Sequence, residues 1–292
     1  MGRVTFPTHI MLQTTSRCNS SCSFCPYSEV SDKLSQGEME ETIFSKIIEE
    51  AAAQPGVKRV MPYLMNEPLC DSQIAEKICR IKEKVPHASV HILTNGINLT
   101  EKLGDRIINS PLDWIGISIH AIREDTYRRF TGRGDFRDIL LKITLFVEKA
   151  LKKRGKNFVM INITHAPGYL TEKEKEEALS YWENLGVERI KYCASPISRG
   201  GNIKWLPPVK HNRIKGCGSV WRNEMVHILF NGDVVLCCMD WQREVIVGNV
   251  RKNSIEEVWN SPYYLEIEDY IGGRISPPED FICLRCEEAE VW

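Results

Sequence analysis

The sequence predicts an α/β fold: a partial, TIM-like (β/α)6 barrel of parallel strands and crossover helices, then a small C-terminal domain built of a β-hairpin and a helix. Two observations carry this. From residue 9 to about 193, six short β-rich runs alternate with amphipathic helical stretches. Beyond a connector over residues 200 to 216, marked by Gly200, Gly201, Pro207, Pro208 and Gly216, the pattern becomes two short strands around Asn231-Gly232. The expected division is residues 1–205 for the barrel and 206–292 for the C-terminal domain.

The predicted strands are His9–Thr14, Lys58–Leu64, Val90–Thr94, Trp114–Ile119, Phe158–Ile163 and Glu188–Cys193, each rich in Ile, Val or aromatic residues. Helices follow the first five, for instance Thr42–Ala53, Asp71–Lys84, Phe136–Lys153 and Thr171–Asn184, with Gly186 closing the last as a C-cap. His227–Phe230, Asn231-Gly232 and Asp233–Cys237 read as a hairpin with a type I′ turn, and Ser254–Asn260 as a short helix.

The charge is balanced, with 38 Lys and Arg against 39 Asp and Glu over 292 residues, so no basic field for a nucleic acid is present. The longest apolar stretches are strand-sized, and the N-terminus lacks signal-peptide segments, so a cytoplasmic protein without a membrane span is expected. In such a reducing compartment eleven cysteines point to metal or redox chemistry rather than to disulfides.

Three of them, Cys18, Cys22 and Cys25, stand in a Cys-x3-Cys-x2-Cys run on a polar loop after the first strand. Three thiolates on a 4Fe-4S cube leave one iron open for an external ligand. A zinc site with one further ligand, or three core cysteines on one helical stripe, are the alternatives.

The run, with Phe24 before its last Cys, resembles the signature of the radical S-adenosylmethionine (radical SAM) superfamily. The resemblance implies that the open iron chelates the amino and carboxylate groups of S-adenosylmethionine, and that one-electron reduction cleaves the sulfonium to a 5′-deoxyadenosyl radical. Asn66-Glu67-Pro68 lies where that family carries a Gly-Gly-Glu-Pro-like motif for the amino group; the glycines are missing, and Glu67 carries over. By the same resemblance Phe24, Asn66, Thr94, Asn95, Ser118 and His120 are cofactor-binding candidates at the ligand-facing strand ends.

Cys217, Cys237, Cys283 and Cys286 form a second set. With Gly232–Cys237, Gly248-Asn249-Val250 and Ile255–Trp259 they resemble the SPASM or twitch extension of radical enzymes, in a shortened form with one auxiliary 4Fe-4S cluster; a structural zinc ribbon is the alternative. The implied cofactors are two 4Fe-4S clusters and S-adenosylmethionine.

Two outcomes suit this architecture, inversion of a carbon centre by hydrogen return from a thiol, and dehydrogenation with the auxiliary cluster as electron acceptor. Cys238 favours inversion: if the strand continues, Cys237 and Cys238 point to opposite faces, and one holds the cluster while the other faces substrate. The doublet resembles radical peptide and aminoglycoside epimerases; Gly232–Trp259 is also similar to the radical alcohol dehydrogenase of the butirosin pathway, whose Arg-Gly-Gly makes Arg199 a substrate-binding candidate. An epimerase acting on a carbohydrate-like natural product or a peptide is expected, with an external electron donor such as flavodoxin or ferredoxin. The short segment before His9 leaves no room for a leader-peptide domain and favours a small substrate. Cys70, Cys79 and Cys193, without paired spacing, read as core residues, and Lys149–Lys156 as a solvated helix end.

Overall fold

A computed structural model describes residues 4–164, 170–193 and 197–292. Strand β1 (His9–Leu12) is followed by helices α1 (Tyr27–Val30) and α2 (Glu41–Ala52), and β2 (Arg59–Met61) by α3 (Ile74–Lys84). The alternation continues through β3 (Ser89–Thr94), α4 (Glu101–Asn109), β4 (Trp114–Ser118), α5 (Glu124–Thr131) and α6 (Phe136–Arg154). It ends with β5 (Val159–Thr164), α7 (Glu172–Asn184) and β6 (Arg189–Cys193). The C-terminal part holds β7 (Gly216–Cys217), β8 (Met225–Ile228), β9 (Asp233–Val235), β10 (Ile246–Asn249), α8 (Ile255–Trp259), α9 (Pro262–Ile271) and β11 (Ala289–Glu290).

Two compact units result, one of Met1–Ser16, Glu29–Met65 and Ile197–Trp292, the other of Arg17–Ser28 and Asn66–Pro196. In the second, β3, β4, β5 and β6 pair in that order and all in parallel, with Ile92 opposite Ile115 and Ile117 opposite Ile161. These isoleucines are fully buried. Each contributes about 1.5–3 kcal/mol by leaving water, and branching at Cβ suits the pleat. Gly116 in β4 lets the Leu93 side chain pack close, since a Cβ there would stand 2.4 Å from its end and force it to move. Thr171 and Glu174 cap α7 reciprocally, and Gly186 follows its C-terminus at φ +91.

In the first unit the strand order is β10-β9-β8-β1-β2. Strand β1 runs parallel to both β2 and β8, and all four of its residues are buried, three of them apolar, as suits a strand covered on both faces. Strands β8, β9 and β10 run antiparallel, and β7 pairs with β11 in a separate two-stranded sheet that sets Cys217 opposite Ala289.

Three local expectations are corrected. The hairpin joins β8 and β9 as predicted, but its turn spans Leu229–Gly232, closed by Gly232 N–H donating to Leu229 O at 3.0 Å. Only Gly232 takes a positive φ, +87; Asn231 does not, because its amide is engaged with Asp233 on the same side. A glycine-bulged turn replaces the type I′ turn. Helix α3 starts at Ile74, not Asp71, because Glu67 caps a 3-10 turn at Pro68–Cys70 first. Cys79 and Cys193 are exposed rather than core, Cys79 on the outer face of α3 and Cys193 at the end of the half-exposed strand β6.

Candidate functional site

Residues 17–26 form a loop without helix or strand, so Cys18, Cys22 and Cys25 do not line a helical stripe. The loop is pinned by its own backbone. Cys18 N–H donates to the Tyr27 hydroxyl at 2.9 Å, Cys25 N–H to Cys22 O at 3.0 Å, and Ser20 Oγ lies 3.2 Å from Cys22 Sγ. The three sulfurs act on one another electrically, and burial pushes the Cys18 thiol far up and that of Cys22 up to about 11. Sulfurs gathered where a bare thiolate is disfavoured suit a cationic iron-sulfur core, which stabilises the thiolate form. Among the described residues no three His, Cys, Asp or Glu side chains converge tightly enough for a single metal ion, and a cube, taking one thiolate per iron, does not require that.

Asparagines fasten this loop to the end of β3. Asn95 Nδ2 donates to Asn19 Oδ1 at 2.8 Å, Asn19 Nδ2 donates to Asn98 Oδ1 at 3.0 Å, and Arg133 donates to Asn19 O at 3.0 Å. Glu67 sits beside them, 2% exposed. Its carboxylate accepts from Leu69 N–H at 2.9 Å, Thr94 Oγ1 at 2.5 Å and Asn95 N–H at 2.7 Å. Burial raises its pKa to about 7 against these donors. A carboxylate offers about four lone-pair sites, so one acceptor position remains for an ammonium group.

Thr94 Oγ1 donates its proton to Glu67 and accepts from Gly96 N–H at 3.0 Å. Thr94 and Asn95 thus orient Glu67. Asn66 is half-buried beside Glu67. Met65, at the place of the family motif's first glycine, keeps a glycine-like φ of +52. A non-glycine residue at this φ costs on the order of 1–3 kcal/mol.

Phe24 packs edge-on against His120, with centroids 4.6 Å apart, and against Phe130 at 5.2 Å. His120 Nδ1 accepts from Thr164 N–H at 3.0 Å, which places its proton on Nε2, and burial depresses its pKa to about 4. Ser118 stands opposite Asn162 across β4 and β5, where the Asn162 amide nitrogen is buried without a hydrogen-bond partner. Sequence reasoning missed Asn162, although one polar residue inside the apolar run Val159–Ile163 was a readable signal.

The second cysteine set assembles in the first unit. Cys283 and Cys286 lie at and just after a 3-10 turn (Ile282–Arg285), Cys217 is in β7, and Cys237 follows β9. Cys217 and Cys286 act electrically on Cys283, Cys283 acts on Cys237, and Cys217 also acts on Cys286. Burial raises all four thiols, Cys283 to about 12 and Cys286 to about 11. Four desolvated thiols linked through Cys283 fit the ligand number of one fully ligated cluster.

Strand β9 ends at Val235, so the pleat does not separate Cys237 from Cys238. The doublet opens a turn closed by Asp240 N–H donating to Cys237 O at 3.2 Å. Cys238 packs on an apolar cluster of Met11, Met61, Leu64, Met225, Leu229 and Val235, beside Tyr63 and Met65. Burial raises its pKa and the nearby Arg199 guanidinium opposes the rise. Arg199 itself has φ +54, and its carbonyl accepts from Asn202 Nδ2 at 2.6 Å.

Residues 12–181 match the Radical SAM superfamily, and residues 217–287 match SPASM, an iron-sulfur cluster-binding domain. The chain is a radical SAM protein. Its α/β fold with a parallel sheet is of the radical SAM type, and its cofactors are S-adenosylmethionine, a 4Fe-4S cluster in the radical SAM domain and additional iron-sulfur ligation in the SPASM domain.

The chain is 31% identical over 282 residues to the S-adenosyl-L-methionine-dependent 2-deoxy-scyllo-inosamine dehydrogenase of Niallia circulans, covering 97% of this chain and 93% of that one. It is 31% identical over 159 residues to the GTP 3′,8-cyclase of Lactiplantibacillus plantarum, covering 52% of this chain and 46% of the cyclase. The chain thus spans about half the length of such cyclases. Among solved structures, BtrN in complex with AdoMet and 2-DOIA aligns with TM-score 0.62 at 19% identity, over 94% of this chain and 90% of that one. No helix among the described residues is long and apolar enough to cross a membrane.

Proposed function

We propose that this radical SAM enzyme is an epimerase of a carbon centre in a carbohydrate-like natural product or a peptide, with Cys238 as hydrogen-atom donor. Its radical SAM domain spans residues 1–205 and its auxiliary-cluster domain 206–292, working in the cytoplasm with flavodoxin or ferredoxin as electron source. Cys18, Cys22 and Cys25 hold the first cluster, and Cys217, Cys237, Cys283 and Cys286 the second. When bound, the first cluster and S-adenosylmethionine supply the radical that removes the substrate hydrogen. Glu67 accepts from the amino group of S-adenosylmethionine, Thr94 and Asn95 hold that carboxylate in place, and Asn66, Ser118, His120 and Phe24 line the remainder of the cofactor site.

The observation that carries the reading is the place of Cys238, packed on an apolar cluster where the Arg199 charge acts on its thiol. There the Cys238 S–H bond breaks as a C–H bond forms on the opposite face of the substrate carbon, leaving a thiyl radical. An electron from the external donor and a solvent proton restore the thiol. Arg199 binds a substrate acceptor group.

Dehydrogenation is the second reading, favoured by the 31% identity to the Niallia circulans dehydrogenase. Turnover in deuterated water separates the two. An epimerase places one deuterium at the inverted carbon, and Cys238→Ala forms 5′-deoxyadenosine without inverted product. An oxidised product free of solvent deuterium, formed equally well by Cys238→Ala, would establish the dehydrogenase.

A further inference from the structure

The loop that carries Arg199 and the turn that carries Cys238 are joined by one side chain that none of the chemistry above uses. Asn202 is 4% exposed. Its Nδ2 donates to Arg199 O at 2.6 Å and to Met239 O at 3.2 Å, and its Oδ1 accepts from Gln242 Nε2 at 2.8 Å. Both amide protons and the oxygen are thus engaged, and the two facing carbonyls fix which end of the amide carries the nitrogen.

Those carbonyls flank the proposed chemistry, one on Arg199 itself and the other on Met239, directly after Cys238. Arg199, Gly200 and Gly201 take φ of +54, +66 and +79 in succession, a course that an arginine keeps only where its surroundings over-determine it. Other ties hold this loop to itself and to the C-terminal turn. Gly201 N–H donates to Ser198 Oγ at 2.9 Å, Arg285 Nε donates to Gly200 O at 2.8 Å, and a Cβ on Gly200 would stand 2.9 Å from Ile282. Of these contacts, the Asn202 amide is the one that reaches the Cys238 turn. That turn is a firm anchor, since Met239 O also accepts from Trp241 N–H at 2.9 Å and the buried Asp240 carboxylate accepts from Glu244 N–H at 2.8 Å and Val245 N–H at 2.9 Å.

We propose that Asn202 is a positioning residue of the substrate site: its buried amide sets the main chain of Arg199 at a fixed place relative to the Cys238 turn, so that a substrate held by Arg199 meets the thiol at one carbon. This rests on Arg199 binding substrate and on Cys238 donating hydrogen. The bridge explains the residue type. Two carbonyl oxygens must be met by two donors on one nitrogen, and Asp, of the same shape, would set an oxygen against both.

The test is amide hydrogen–deuterium exchange of the reconstituted full-length protein, followed by the inversion assay in deuterated water. Asn202→Asp should speed exchange roughly tenfold in residues 198–203 and in residues 238–243 together, as one buried hydrogen bond is lost on each side, while the amides of β3 and β4 keep their protection. Labelled inverted product per 5′-deoxyadenosine should fall by a similar factor; a loss of folded protein alone would lower both and leave this ratio unchanged. Gln242 is exposed, and Gln242→Leu, which removes only the bond orienting the amide, should move exchange and ratio in the same direction by a smaller factor. It keeps the test decisive even if Asn202→Asp folds poorly. Exchange that rises on one side only or on neither, or a wild-type ratio in every folded variant, would overturn the proposal. Wild type that delivers no solvent deuterium would overturn Cys238 as donor, the reading beneath, and the paired exchange response alone then decides the bridge.

Discussion

The two cysteine sets solve the same problem in opposite ways. The first places its three thiols within eight residues on an irregular loop, and hydrogen bonds with Asn95, Asn98, Arg133 and Tyr27 fix that loop. The second gathers its thiols from β7, the segment after β9 and the C-terminal turn. On the proposed assignment, a set with three thiols leaves a coordination position for a reactant, and a set with four closes its cluster. Local sequence thus encodes the reactive site, and tertiary structure encodes the auxiliary one.

The comparison breaks most sharply at the ligands. Cys18→Ala should abolish 5′-deoxyadenosine formation and remove about half of the bound iron and sulfide, whereas Cys283→Ala should remove the other half while uncoupled cleavage of S-adenosylmethionine persists; iron analysis and chromatography check both. If either substitution emptied both sites, the two would not be independent.

Glu67→Gln sharpens the picture of the first set. Losing a charge-assisted contact of about 1.5–3 kcal/mol should weaken binding of S-adenosylmethionine by roughly ten- to a hundredfold. The same carboxylate governs a pH effect. Its folded pKa of about 7 lies above its ordinary value of 4.5, so the folded chain holds this proton more tightly than the unfolded one. Its contribution is fully present below the ordinary value and is lost as pH rises through about 7, by on the order of 3 kcal/mol. Denaturant unfolding at pH values on either side of this window should show a slope in wild type that Glu67→Gln removes.

The smallest effect belongs to Asn19→Ala, which deletes two side-chain hydrogen bonds between the loop and the β3 end. It should cost about 1–3 kcal/mol of stability and raise the KM for S-adenosylmethionine several-fold, with both clusters still bound.

Much of this was legible beforehand, for identifiable reasons. The strands were readable because Ile, Val and aromatics recur in short runs, and the first cysteine loop because its ligands are neighbours in sequence. Glu67 was readable from its motif. The network of Asn19, Asn95 and Asn98 was not, since which asparagine meets which depends on the loop's course in space. Cys238 was reached by a strand argument, yet the strand stops at Val235 and the doublet opens a turn. Asn202 carries no sequence signal at all, an isolated asparagine in the connector whose partner Met239 lies 37 residues away.

The account turns on one site having an open coordination position and the other having none. EPR of the reduced, fully reconstituted protein before and after addition of S-adenosylmethionine reads this directly. Two cluster signals, of which one changes and the other stays fixed, is the predicted result; both changing, or neither, would contradict it.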